Sequence, residues 1–186
     1  MANVTYDENC LTVLDHPLVG HKMTILRDES TAPAHFRKLV HELAALEAYE
    51  ATRDLPTTQV QVKTPICETE GVRLKDDALA VVPILRAGMG MLEGVLSVVP
   101  SAAVGVLGME RDEETHEPHS YYAKMPQGIE NRMALVIDPM LATGGSALAA
   151  IKYLREAGVK DIRLLVMVAA PEGVAAVNAA EPDVHI

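Results

Sequence analysis

The stretch MALVIDPMLATGGS, residues 133–146, decides the fold. Ala134 to Ile137 is a short apolar run rich in branched side chains, the pattern of a strand buried on both faces of a parallel sheet. Asp138 ends it with a carboxylate. Pro139, Met140, Leu141 and Ala142 follow, and then Thr143, Gly144, Gly145 and Ser146 stand directly before a helix-like run from Ala147 to Ala157. Strand, carboxylate, glycine and hydroxyl loop, helix: this order makes a phosphate cradle. Glycines let backbone N–H groups crowd around an anion, hydroxyls add donors, and the helix N-terminus favours negative charge. A nucleoside-triphosphate P-loop is excluded, because it needs Gly-Lys-Ser/Thr and no lysine adjoins Gly144 or Gly145. An ionised aspartate before the cradle can accept two hydrogen bonds from a vicinal diol, which suits a ribose 5-phosphate. A plain strand-to-helix turn, with Asp138 capping and the glycines turning, is the competing reading of these residues alone.

Composition narrows the frame around that stretch. The 186 residues suffice for one domain with a proper core, and 49% of them are apolar while only 3% are aromatic. A core built from Val, Leu, Ile, Ala and Met favours α/β layers over an all-β sandwich. The formal net charge of −10 argues against a nucleic-acid surface, which needs clustered Lys and Arg, so an anionic ligand must be held by a few placed cations. Cys10 and Cys67 form neither a disulfide framework nor a metal spacing, as expected of free thiols in a reducing compartment. The N-terminus MANVTYDENC has no signal-peptide pattern, and no apolar run reaches membrane-spanning length. A cytoplasmic protein without membrane contact is expected.

Outward from the cradle, strands alternate with helices. Residues 1–14 read as a polar extension. His16 to Asp28 carries Pro17 and Gly20 as punctuation with His21, Lys22 and Arg27, and composition leaves a solvated loop open there. Ser30-Thr31 before Pro33 reads as an N-cap and first turn, and Phe36, Leu39, Val40, Leu43 and Ala44 continue a helix to about Ala51. His41-Glu42 is not a zinc motif, since position 45 is Ala45. Thr58 to Val62 and Val72 to Leu74 suggest a hairpin outside the core sheet. Ala78 to Val82 is a buried strand ending at Pro83, followed by a connection with Arg86 and a helix from Met89 to Val98. Gly88, Gly90 and Gly94 miss the dinucleotide spacing, and Glu93 would repel a diphosphate. Ala102 to Leu107 is a third strand, and Glu110 to Pro126 a long exposed hairpin able to cover a site. His116 and His119 within it have no third ligand nearby. Arg111 stands just past the strand end, where a surface pair with Asp112 or Glu113 is the plain alternative. Ile162 to Ala169 is a further strand, Pro171 to Ala180 a helix, and Asp183 to Ile186 a strand beginning.

The stretch VIDPMLATGGS resembles the phosphoribosyl-diphosphate (PRPP) loop of the type I phosphoribosyltransferases, and specifically of the uracil phosphoribosyltransferase family, where Asp-Pro replaces the usual acidic pair. HPLVGHKMTILRD at 16–28, YEATRDLP at 49–56, VVPILRAGMGM at 81–91, RDEETHEPHSYYAKMP at 111–126 and VAAPEG at 168–173 agree with that family in order and spacing. The resemblance implies an α/β fold: a parallel sheet flanked by helices, type I phosphoribosyltransferase-like, with an N-terminal helical segment and a protruding β-hairpin. It implies transfer of the 5-phosphoribosyl group from PRPP to uracil, giving UMP and pyrophosphate in pyrimidine salvage. Arg86, Arg111 and Asp138 become the expected catalytic set. PRPP is expected on these three together with Pro139, Met140, Leu141, Ala142, Thr143, Gly144, Gly145 and Ser146. Mg²⁺ is expected to arrive with PRPP rather than in a metal site of the protein. A homodimer or larger homo-oligomer is implied, as is activation by GTP in some members. The family's glycine-rich segment that reads uracil lies beyond the strand beginning at Asp183, so residues 1–186 are expected to form a single domain lacking the base-binding segment, with no uracil contact assigned. Two other classes stay open: a non-catalytic PRPP-binding regulator, against which the charge of −10 counts, and a transferase for another base, against which Asp138-Pro139 counts.

Overall fold

The computed structural model describes Asp7, residues 10–111 and residues 118–186, the side chains at 110, 111 and 118–120 excepted. In chain order the elements are α1 (Pro17–Leu26), α2 (Pro33–Ala51), β1 (Thr57–Lys63), β2 (Glu68–Leu74), β3 (Leu79–Leu85), α3 (Met89–Val98), β4 (Ala103–Val104), β5 (Val106–Arg111) and β6 (Pro118–Lys124). There follow β7 (Met133–Ile137), β8 (Met140–Leu141), α4 (Gly145–Glu156), β9 (Ile162–Leu165), β10 (Val168–Ala169) and α5 (Pro171–Ala180).

The main sheet runs β6-β5-β3-β7-β9, with β4 also on β3. β5, β3, β7 and β9 are mutually parallel, and only β6 is antiparallel, at the edge. Every residue of β7 is buried, as a strand covered on both faces requires. Alternation along β3 divides the core. Ala80, Val82 and Ile84 face Ile151 and Leu154 of α4 and Val174 and Val177 of α5. Leu79 and Val81 face Val40 and Ala44 of α2 and Met91 and Val95 of α3. The result is three layers, helices on both sides of a mostly parallel sheet. β1 and β2 form their own antiparallel hairpin, and Cys10 and Cys67 are free thiols. Among the described residues no helix is long and apolar enough to cross a membrane.

Several local readings change. Residues 17–26 of the basic segment are helical: His16 caps α1 by accepting the Leu18 N–H at Nδ1, and Pro17 fits the first turn. Ser30 and Thr31 do not cap α2, whose N-cap is Ala32 without a side-chain bond. The Ser30 hydroxyl donates to Asp28 Oδ1 and the Thr31 hydroxyl to the Ile25 carbonyl, fastening α2 to the end of α1. β3 runs through Pro83 because that proline is its last residue in register with β7, so the missing N–H falls where that ladder ends. The strand read at 102–107 is two, β4 and β5, with Gly105 between them, and 162–169 divides likewise into β9 and β10. At the chain's end His185 bridges Arg163 in parallel. Ile186 exchanges backbone bonds with the N-terminal segment, donating to Cys10 and accepting from Thr12. His116 lies outside the described residues, as does the side chain of His119.

Candidate active site

In the order β5-β3-β7 three parallel strands end side by side, and each end carries one residue singled out by sequence: Arg111 closes β5, Arg86 follows β3 and Asp138 follows β7. Neighbouring strands are about 4.8 Å apart, so the three positions share one edge of the sheet. Ligands of open α/β sheets bind outside the carboxyl ends of the strands, at this edge. The backbone of Arg111 is in place there; its side chain lies outside the described residues.

Gly88 brings the Arg86 connection onto the cradle. A Cβ built on Gly88 would lie 2.4 Å from the Ile137 carbonyl oxygen and 2.8 Å from the backbone of Ile84, so only glycine permits this approach. The Gly88 N–H donates to the Ile84 carbonyl at 2.9 Å, closing the turn. The peptide bond joining Leu85 to Arg86 is cis. Arg86 itself is exposed, and no hydrogen bond or ion pair engages its side chain among the described residues. A guanidinium left open in this way can meet two phosphate oxygens at once.

The cradle begins at Asp138, whose N–H donates to the Leu165 carbonyl, binding the end of β7 to β9. Burial raises its carboxyl from 3.8 to about 6, against a hydrogen bond from the Met140 N–H that lowers it. Met140 and Leu141 then pair as β8 with Val168 and Ala169 of β10, a contact no local pattern announces. Gly144, at φ +86°, is the N-cap of α4, a left-handed conformation that glycine adopts without penalty. The first helical bond is from the Leu148 N–H to the Gly144 carbonyl, so the N–H groups of Gly145, Ser146 and Ala147 lie in the unpaired first turn and point out of the helix end. A hollow of about 70 Å³ opens over these groups, lined by Asp138, Met140, Ala142, Thr143, Gly145 and Ser146 among others. Thr143 is exposed and Ser146 half-buried. Donors, dipole and a carboxylate at one rim suit a phosphate attached to a hydroxyl-bearing group.

A larger cleft, about 830 Å³, lies between α1, the end of α2 and β9. Size does not make it the reaction site, because the cations on its wall are already paired, Arg53 with Glu50 and Arg163 with Asp54, and Asp183 is held by Arg155. Glu47 on its wall is 8% exposed, its Oε2 has no hydrogen-bond partner, and burial raises its carboxyl from 4.5 to about 8. The periodicity of α2 places Glu47 on the same stripe as Leu43 and Ala44, which sequence reading did not flag. Sequence reading also missed the backing of the cradle by residues 168–173, although Pro171 and Gly173 punctuate that stretch.

Comparison with known proteins gives the family and the fold. The profile of the family described as uracil phosphoribosyltransferase matches residues 13–186. The chain is 55% identical over 175 residues to the uracil phosphoribosyltransferase of Lactobacillus gasseri, covering 94% of this chain and 84% of that protein. It is also 55% identical to that of Macrococcus caseolyticus, with 94% and 83% covered. A solved structure of a protein from Aquifex aeolicus superposes with a TM-score of 0.89 at 36% identity, over 95% of this chain and 84% of that one. A hypoxanthine phosphoribosyltransferase from Staphylococcus aureus, at 14% identity and a TM-score of 0.53 over 73% of this chain and 65% of that one, shares the fold.

Proposed function

The chain belongs to the uracil phosphoribosyltransferase family, whose members move the 5-phosphoribosyl group of PRPP onto uracil to give UMP and pyrophosphate, and from that premise we propose how its residues divide the work. The N1–C1 bond to uracil forms as the bond from C1 to the pyrophosphate oxygen breaks, and the N1 proton is released. Positive charge develops on the ribose while a highly charged group leaves, so the protein's tasks are to hold the sugar still and to receive that charge.

The cradle from Pro139 to Ser146 holds the 5-phosphate, with the first-turn N–H groups of α4 and the Thr143 and Ser146 hydroxyls as donors. Asp138, ionised above about pH 6, accepts the ribose hydroxyls. Arg86 and Arg111, at the ends of neighbouring strands, receive the pyrophosphate. No side chain acts as a nucleophile. The observation that carries this division is the seat of Gly88 on the Ile137 carbonyl, which sets the Arg86 loop against the residue before Asp138.

Magnesium fits as an ion carried by PRPP. Mg²⁺ keeps its waters and prefers phosphate oxygens to an all-protein cage. Asp138 is the carboxylate at hand for such an ion, which would neutralise pyrophosphate charge when bound. A cytoplasmic homodimer or larger homo-oligomer, activated by GTP, completes the proposal by analogy with the family.

The test is turnover with PRPP and Mg²⁺ against uracil, cytosine, hypoxanthine and orotate, run beside Arg86→Ala. UMP as the single nucleotide, with PRPP efficiency lowered at least about tenfold in the variant, is the expected result, since a hydrogen bond to a charged group is worth about 1.5–3 kcal/mol. Another nucleotide, or an Arg86→Ala enzyme as efficient as the parent, would overturn the assignment.

A further inference from the structure

Behind the cradle, on the side away from the hollow, the first turn of α5 presses against the loop. A Cβ built on Gly173 would lie 2.6 Å from the Ala142 carbonyl oxygen and 2.9 Å from Leu141 Cγ. One turn further, Ala176 Cβ and the Gly173 carbonyl would each lie 3.3 Å from a Cβ built on Gly144. The same loop is tied from behind by backbone bonds: the Met167 and Val168 N–H groups reach the Pro139 carbonyl, and the Ala170 N–H reaches the Leu141 carbonyl at 2.8 Å. Gly173 is buried in the first turn of α5, where alanine has the higher helix propensity. A residue kept against its local preference marks a demand from the tertiary structure.

We propose that Gly173 is a positioning residue for the 5-phosphate: by letting α5 approach the Ala142 carbonyl, it fixes how far the Ala142 to Gly144 segment stands from the phosphate it holds. The inference rests on the cradle holding the 5-phosphate, as proposed above. Any side chain at 173 must force the Ala142 carbonyl and α5 apart, since contacts under 3.0 Å are not tolerated by real Cβ atoms. The loop is bonded to β10 and Ala170 from behind, so where it yields it moves away from α5, toward the ligand side. The Arg86 loop does not touch this seat; Gly88 rests on Ile137 and Ile84. The two halves of the PRPP site therefore have separate supports, and damage to one should spare the other.

The experiment is calorimetric binding of UMP and of magnesium pyrophosphate, each alone, to the parent protein, Gly173→Ala and Ala176→Val. UMP reports the cradle and pyrophosphate the arginine side. Gly173→Ala is expected to weaken UMP at least about tenfold, as small misplacements of binding groups do, and to leave pyrophosphate within about twofold. Ala176→Val, which loads the same seat beneath Gly144, should do the same more mildly and carries the test should Gly173→Ala not fold. Unchanged UMP affinity in the folded variants, or equal loss of both ligands, would overturn the inference. Should the parent protein bind pyrophosphate but not UMP, the cradle assignment itself would fall, and the inference with it.

Discussion

Replacing Asp138 by asparagine should make this protein more stable and nearly inactive in the same stroke. Burial lifts the Asp138 carboxyl from 3.8 to about 6. With the folded value above the unfolded one, the folded state holds the proton more tightly. Stability from this group is therefore fully present below about pH 3.8, falls as pH rises, and is lost once pH passes about 6. A rise of that size corresponds to about 3 kcal/mol for an enclosed group, and the partial exposure of Asp138 trims this to roughly 1–2 kcal/mol. An asparagine side chain carries no such penalty at neutral pH, so Asp138→Asn should raise the melting temperature by about 4 °C at pH 7.5 and by much less at pH 4. Its neutral amide replaces a carboxylate that accepts ribose hydroxyls, and the loss of charge-assisted hydrogen bonds should lower kcat/KM for PRPP roughly a hundredfold. Thermal melts at the two pH values and initial rates at saturating uracil read both effects. A variant no more stable than the parent at pH 7.5, or one that keeps full efficiency, would refute the reasoning that the strand end holds a desolvated carboxylate for the sugar.

Other outcomes follow from the same structure. Glu47, with its carboxyl raised from 4.5 to about 8 by burial and Oε2 unpartnered, should make the parent lose stability from about pH 4.5 up to about 8, and above about pH 7, where Asp138 with its carboxyl at about 6 is already ionised, the remaining slope belongs to Glu47. Glu47→Leu should remove that slope and add up to about 3 kcal/mol at pH 7.5, measured by urea unfolding; an unchanged slope would count against the buried carboxyl. Gly144→Ala must place a side chain at φ +86° and against Ala176, so it should cost about 1–2 kcal/mol and raise the KM for PRPP; a neutral effect in both assays would show that the loop can re-form without the left-handed residue. Gly88→Ala, whose Cβ would meet the Ile137 carbonyl at 2.4 Å, should weaken magnesium pyrophosphate at least about tenfold while UMP changes less, the mirror image of Gly173→Ala.

The cradle was legible because its chemistry is local. A buried apolar run, a carboxylate, two glycines and a helix start are adjacent in the chain, so Asp138 to Ser146 could be read as a candidate phosphate loop before any fold existed, and the structure places that strand, turn and helix start as read. The layer architecture was legible for a similar reason: Ala134 to Ile137 shows the continuous run of a covered strand, and Leu39, Val40, Leu43 and Ala44 show the helical period, as the buried faces of β7 and α2 confirm. α1 was not legible, since none of its residues is buried and no apolar stripe marks it. Its ends are set by the His16 cap and by Thr31 reaching back to Ile25, which are matters of geometry rather than pattern. The N-cap read at Ser30-Thr31 failed for the same reason: both hydroxyls donate back toward α1, to Asp28 Oδ1 and the Ile25 carbonyl, and neither accepts the first N–H groups of α2.

What the sequence determined by itself was therefore the layers and the local turn that makes the candidate site, because periodicity and turn chemistry act over a few residues. What only the tertiary structure decided was which distant segments stand behind and beside that site. Gly88 on the Ile137 carbonyl, Gly173 on the Ala142 carbonyl and β10 alongside β8 join residues far apart in the chain. A glycine in the sequence announces freedom to turn; that it is needed for one backbone to reach another is fixed only when strands and helices have packed.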